Sequence, residues 1–232
     1  MAEAKRYVAL IRHGAYHQKA ATPSALQPYP LTEEGRAQAA ECGAALAEIL
    51  RREGWSLAPV IHCSHQLRAW QTADALATVL RAAGHSPGDL SETPALAERS
   101  VGAVANLTTS EIETILEADP RYSSPPPGWK SDSHYRLPFQ GAESLLEAGA
   151  RVAAHLTATA AAATPNSLTL CVGHGASFRH AAHHLGLLKI SEIPRLSMHH
   201  ARPLLFCYEG RARWSHLGGA WKQRQSQEAH QD

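Results

Sequence analysis

The chain has 232 residues, of which 44% are hydrophobic, and a formal net charge of +1. That length suits one α/β domain of good size or at most two small ones, with enough apolar residues for a substantial core. Charges are mixed along the chain, so no basic stripe argues for nucleic acid, no acidic block argues for a tail, and no run approaches the ~20 apolar residues of a membrane span.

Residues 1–6 contain no apolar segment that would serve as a signal peptide, so cytoplasm is the expected location. Residues 7–11 read as a short buried strand, and it ends in Arg12, His13 and Gly14. Pro23, Pro28 and Pro30 make 15–31 a loop. Thr32 is a candidate N-cap, with Glu33 and Glu34 where the helix dipole favours carboxylates. The helix that follows carries Ala39, Cys42, Leu46 and Leu50 at helical spacing and stops at Gly54.

A second strand is expected at 59–63 and a helix at 67–83, then a turn-rich stretch at 85–95 with a short strand near Leu90. A short helix follows at 110–118. Residues 119–141, with five prolines including Pro125, Pro126 and Pro127, are the least regular part. An alanine-rich helix is expected at 143–162, a strand at 167–172, a helix at 175–185, and final strands at 204–208 and 212–216. Alternating strands and helices predict a three-layer α/β sandwich, with a mostly parallel central sheet covered by helices on both faces. The expected organisation is a single domain over 1–220, an irregular lid at about 103–141, and a flexible polar tail at 221–232. Cys42, Cys63, Cys171 and Cys207 form no C-x-x-C pair and read as small core residues.

In sheets of this kind ligands bind beyond the carboxyl ends of the strands. Three such tips carry reactive groups: Arg12 and His13, then Ser64 to Arg68, then Gly173, His174 and Gly175. Two arginines and two histidines at one edge suit phosphoryl transfer. Arginine forks hold phosphate oxygens, a neutral imidazole attacks phosphorus, and a second imidazole stabilises charge. Gly14 and Gly175 would allow sharp turns and close approach of a ligand. A leaving alkoxide also needs an acid, and the candidate is Glu98, in a setting where nearby apolar residues would favour its protonated form.

These elements resemble the histidine phosphatase superfamily, the group that includes the cofactor-dependent phosphoglycerate mutases and many phosphatases. The matching elements follow the family's order. They are Arg12-His13-Gly14; Leu31-Thr32 with Gly35 and Gln38-Ala39; Ser64 with Leu67-Arg68-Ala69 and Gln71-Thr72-Ala73; Glu98 with Gly102; Gly141 with Glu143-Ser144 and Arg151; and His174-Gly175. The resemblance implies that His13 becomes the phosphohistidine, that Arg12, Arg68 and His174 surround the phosphate, and that Glu98 protonates the leaving group and then activates water. It implies no metal and no organic cofactor.

Several residues keep two readings. Glu143 is read chiefly as a helix cap, with an active-site contact as the alternative. His180, His183 and His184 are read as a polar helix face rather than a zinc site, since H-E-x-x-H is absent. His199 and His200 are surface histidines or approach the pocket from a late strand. Arg99, Lys130 and Arg136 are solvated loop charges or a lid that reads an anionic group, while Trp129 and Tyr135 wall the pocket or anchor the loop. Tyr16 and His17 resemble a branch acting on phosphoproteins, which adds Tyr16 to the substrate-binding candidates with Gly14, Gly175, Arg99 and Lys130.

The expected reaction is hydrolysis of a phosphomonoester on a small molecule or a phosphoprotein. A phosphoglycerate-type mutase is the second reading. It is favoured by Glu98-Arg99 and disfavoured because residues 106–110 lack the lysine expected of mutases. A phosphate-binding module without turnover is the third. Neither a nucleic acid nor a membrane is an expected partner, and a homodimer is allowed.

Overall fold

The computed structural model describes residues 5–224. Its main sheet has six strands, β1 (Arg6–Arg12), β2 (Ser56–Ser64), β3 (Leu90–Thr93), β4 (Ser167–Gly173), β6 (Leu204–Tyr208) and β7 (Trp214–Gly218), in the order β3-β2-β4-β1-β6-β7. The first four run parallel, and β6 pairs antiparallel with both β1 and β7. Two short strands outside this sheet, β5 (Leu196–Ser197) and β8 (Lys222–Gln223), pair with each other.

Strand β1 shows why the sheet needs cover on both sides. Ala9 and Ile11 enter one apolar cluster with α1 (Glu33–Glu53) and α2 (Leu67–Ala82). Val8 and Leu10 enter another with α4 (Leu145–Ala162) and α5 (Gly175–His184). Side chains alternate along a strand, so a continuous apolar run buries both faces.

The helix boundaries follow from local chemistry. Thr32 caps α1 by accepting from the Gly35 N–H, and Gly54 closes it in the left-handed region at φ 66°. Ser144 caps α4 in a reciprocal capping box with Glu147, a role expected of Glu143. Thr108 and Glu111 do the same for α3 (Thr109–Ala118).

The irregular stretch is tied down by a small core of its own, in which Val101, Val104, Ile112, Leu116, Trp129, Leu137 and Ala142 are buried together. The Trp129 indole also donates to Glu113 at 2.9 Å, so Trp129 anchors the loop. All four cysteines are buried in the interior. The tail expected from residue 221 begins with a short strand: β8 borrows β5 as its partner, and the Arg224 N–H bonds to the Arg195 carbonyl. The rest of that tail, 225–232, lies outside the described residues. Among the described residues no helix is long and apolar enough to cross a membrane.

Candidate active site

The sheet order brings the three expected tips side by side, because β4 lies between β2 and β1. Arg12 is in register with Gly173, and Cys63 with Val172. His13 extends the ladder by one step, its N–H bonding to the Gly173 carbonyl at 3.0 Å. The rings of His13 and His174 lie 5.1 Å apart, with 3% and 1% of their surfaces exposed.

His13 has its two ring nitrogens assigned different work. Nδ1 lies 2.8 Å from the Gly14 carbonyl, which can only accept, so this nitrogen carries the proton. Nε2 therefore presents a lone pair, which accepts from Arg68 Nε at 3.1 Å. Burial, followed by the positive field of Arg68, His174, Arg12 and His200, holds His13 well below the usual imidazole range. The ring is thus neutral and nucleophilic near pH 7.

His174 is fixed by the same logic. Arg68 Nη2 donates to its Nδ1 at 3.2 Å, so Nε2–H points to Ser64 Oγ at 2.9 Å. Burial first, then Arg68 and Arg12, depress this imidazole too. Arg68 itself is fully buried in the first turn of α2 and also donates to the carbonyls of Gln27 and Ser24 and to the Gln66 amide oxygen. The Tyr16 ring lies beneath this guanidinium at 4.7 Å and against the edge of His13. Its buried hydroxyl has no hydrogen-bond partner among the described residues. Arg12, His13, Tyr16, Glu98 and Gly175 line one small pocket with Gln18 and Ser24.

Glu98 reaches this pocket, but its surroundings differ from the apolar setting expected. Its carboxylate accepts from the backbone N–H groups of Arg99, Ala176 and Ser177 at 2.8–3.1 Å, so it caps α5. The segment carrying it is clamped from behind. Arg151 donates to the carbonyls of Pro94, Ala95, Ala97 and Glu98, and it pairs with Glu143 through two bonds of 2.7 and 2.8 Å. Glu143 also accepts from the Ser100 N–H. It therefore helps to set the position of Glu98 through Arg151 and Ser100.

Both glycines allow close packing around the site. A side chain on Gly14 would collide with the Gly35 carbonyl, so this glycine admits the start of α1. At Gly175 a Cβ would press on the Arg12 side chain at 3.2 Å, so its absence leaves room for that arginine. Arg12 is also held through Nη1 to the Met198 carbonyl at 3.0 Å.

Arg99 and Lys130 line a second pocket beyond Glu98, with the Arg99 guanidinium over the Trp129 ring at 5.8 Å. Arg136 lies elsewhere, pairing with Glu147 at the start of α4. His200 does approach the centre, from the loop between β5 and β6. Its Nδ1 is 2.8 Å from the His13 carbonyl, and the two rings are 5.6 Å apart. His180, His183 and His184 each spend a ring nitrogen on a backbone carbonyl, those of Ala176, Leu188 and Leu146. Gln18, Ser24 and Gln27 escape a motif-based reading because they come from a proline-rich loop with no periodic pattern.

The family model described as the histidine phosphatase superfamily (branch 1) matches residues 8–217. A mycobacterial glucosyl-3-phosphoglycerate phosphatase superposes with a TM-score of 0.64 at 22% identity, over 91% of this chain and 96% of that one. Phosphoglycerate mutase from Bacillus anthracis str. Sterne superposes with a TM-score of 0.69 at 16% identity, over 94% of this chain and 93% of that one. Identities this low establish a shared fold. A search of curated proteins found no sequence match.

Proposed function

The chain belongs to branch 1 of the histidine phosphatase superfamily, and from that premise we propose that it is a phosphatase, hydrolysing a phosphomonoester through a phosphohistidine on His13. The observation that carries this reading is the unprotonated Nε2 of His13, whose lone pair is set by the Gly14 carbonyl on the opposite nitrogen and faces Arg68, with the His174 ring beside it.

In the first step His13 Nε2 attacks phosphorus and the bond from phosphorus to the leaving oxygen breaks. The bound phosphate takes over the Arg68 Nε donor from the His13 lone pair. Arg12, Arg68 and His174 stabilise the equatorial oxygens. Glu98 supplies the leaving group's proton. In the second step the Glu98 carboxylate takes a proton from water, the hydroxide oxygen bonds to phosphorus, the bond to Nε2 breaks, and inorganic phosphate leaves.

Hydrolysis is preferred to phosphoryl transfer between positions of a sugar acid because the stretch 106–110 offers no lysine to grip one. The test is hydrolysis of para-nitrophenyl phosphate by wild type and His13→Ala. Loss of a single nucleophile is expected to lower kcat by about 10⁴-fold or more. Normal turnover by that variant would remove the proposal.

A further inference from the structure

Beside the phosphate pocket runs a far larger groove of about 1000 Å³. The two share Arg12 and Gln18. One wall is the face of α1 that carries Gln38, Glu41 and Ala45, and the others are the loops around residues 20–22, 197–203 and 219–224. Its charges are lopsided: among the described residues Arg12, Lys130, Arg202, Lys222 and Arg224 line it, against the single carboxylate of Glu41. His199 and His200 line it too. The positive field is concentrated enough that, after burial, Arg202, Lys222 and Arg12 hold His199 below its usual range.

The lining contains no Phe, Tyr or Trp among the described residues, so it has no platform on which a nucleobase or the face of a sugar would stack. Its apolar lining is mostly alanine, which leaves little to anchor a peptide side chain. What it repeats is fixed positive charge, at the upper end of the volumes that small ligands fill.

We propose that this groove receives the leaving group of a small polyanionic phosphomonoester, one that carries at least one further phosphate or carboxylate beyond the phosphate handed to His13. The assignment rests on the phosphatase reading above and adds the substrate's class. Arg202 and Lys222 are then specificity-determining residues: they hold the second anionic group and take no part in the chemistry at phosphorus.

The test is competitive inhibition of para-nitrophenyl phosphate hydrolysis by fructose 6-phosphate and fructose 1,6-bisphosphate, which differ only in the second phosphate. One charge-assisted contact predicts a Ki roughly tenfold or more lower for the bisphosphate. In Arg202→Gln/Lys222→Gln that ratio should fall towards one while hydrolysis of the aryl phosphate is unchanged. Should the double variant fold poorly, Arg202→Gln alone, on an exposed loop residue, should reduce the ratio. Equal Ki values in wild type, or a ratio untouched by the substitutions, would overturn the proposal and leave the phosphatase reading standing. No aryl phosphate hydrolysis by wild type would remove both. Tighter inhibition by a phosphoserine peptide flanked by aspartates than by the bisphosphate would overturn the small-molecule assignment.

Discussion

At the scale of single residues, the site works by dividing donors from acceptors. On each imidazole one nitrogen holds the proton and the other accepts from Arg68, which touches both rings. Glu98 is the residue whose role most needs a direct test, because its oxygens are engaged by three backbone N–H groups. If it protonates the leaving group, Glu98→Gln should slow alkyl phosphates by about 10²–10⁴-fold and spare aryl phosphates with good leaving groups. Equal losses on both would confine Glu98 to capping α5. The clamp behind it gives a second expectation. Arg151→Ala frees four carbonyls around 94–98 and breaks the pair with Glu143. The same dependence on leaving group should appear, weaker, at constant KM for aryl phosphate; unchanged alkyl turnover would show that the clamp does not position the acid.

At the scale of elements, close helix packing holds the tips in register. Gly149 of α4 lies against His180 of α5, and a Cβ there would meet the His180 backbone. Gly149→Ala should therefore overpack this contact and cost about 1–3 kcal/mol, read as a lower Tm; an unchanged Tm would mean that the helices separate freely. Most elements were legible because their signals are local. Thr32, Gly54 and the continuous apolar run of β1 each mark an element by its own chemistry. Strands β5 and β8 escaped because two residues show no periodicity and their pairing joins positions distant in sequence. The setting of Glu98 escaped for a related reason: its partners at Ala176 and Ser177 are backbone groups, which no side-chain pattern reveals.

At the scale of the whole molecule, the fold buries imidazoles in their neutral form. Burial is the leading cause of the depressed protonation of His13, His62, His155, His174 and His180, the last brought down to about 4. An unfolded chain protonates these side chains near pH 6.5, so below that value it binds more protons than the native state. Stability should therefore be complete above about pH 6.5 and decline as pH falls towards about 4. Thermal melts across this range check it, and a Tm that rose on acidification would contradict the sign. The strand tips and the family motifs were visible in the sequence because they are short and ordered along the chain. The basic groove was not, since its walls come from α1 and three separate loops. The most direct test of the account is to quench the enzyme in base during turnover of an aryl phosphate and locate the phosphoryl group by mass spectrometry of its peptides. The account predicts an acid-labile phosphoryl group on His13; steady turnover with phosphate on another residue, or with none trapped on the protein at all, would contradict it.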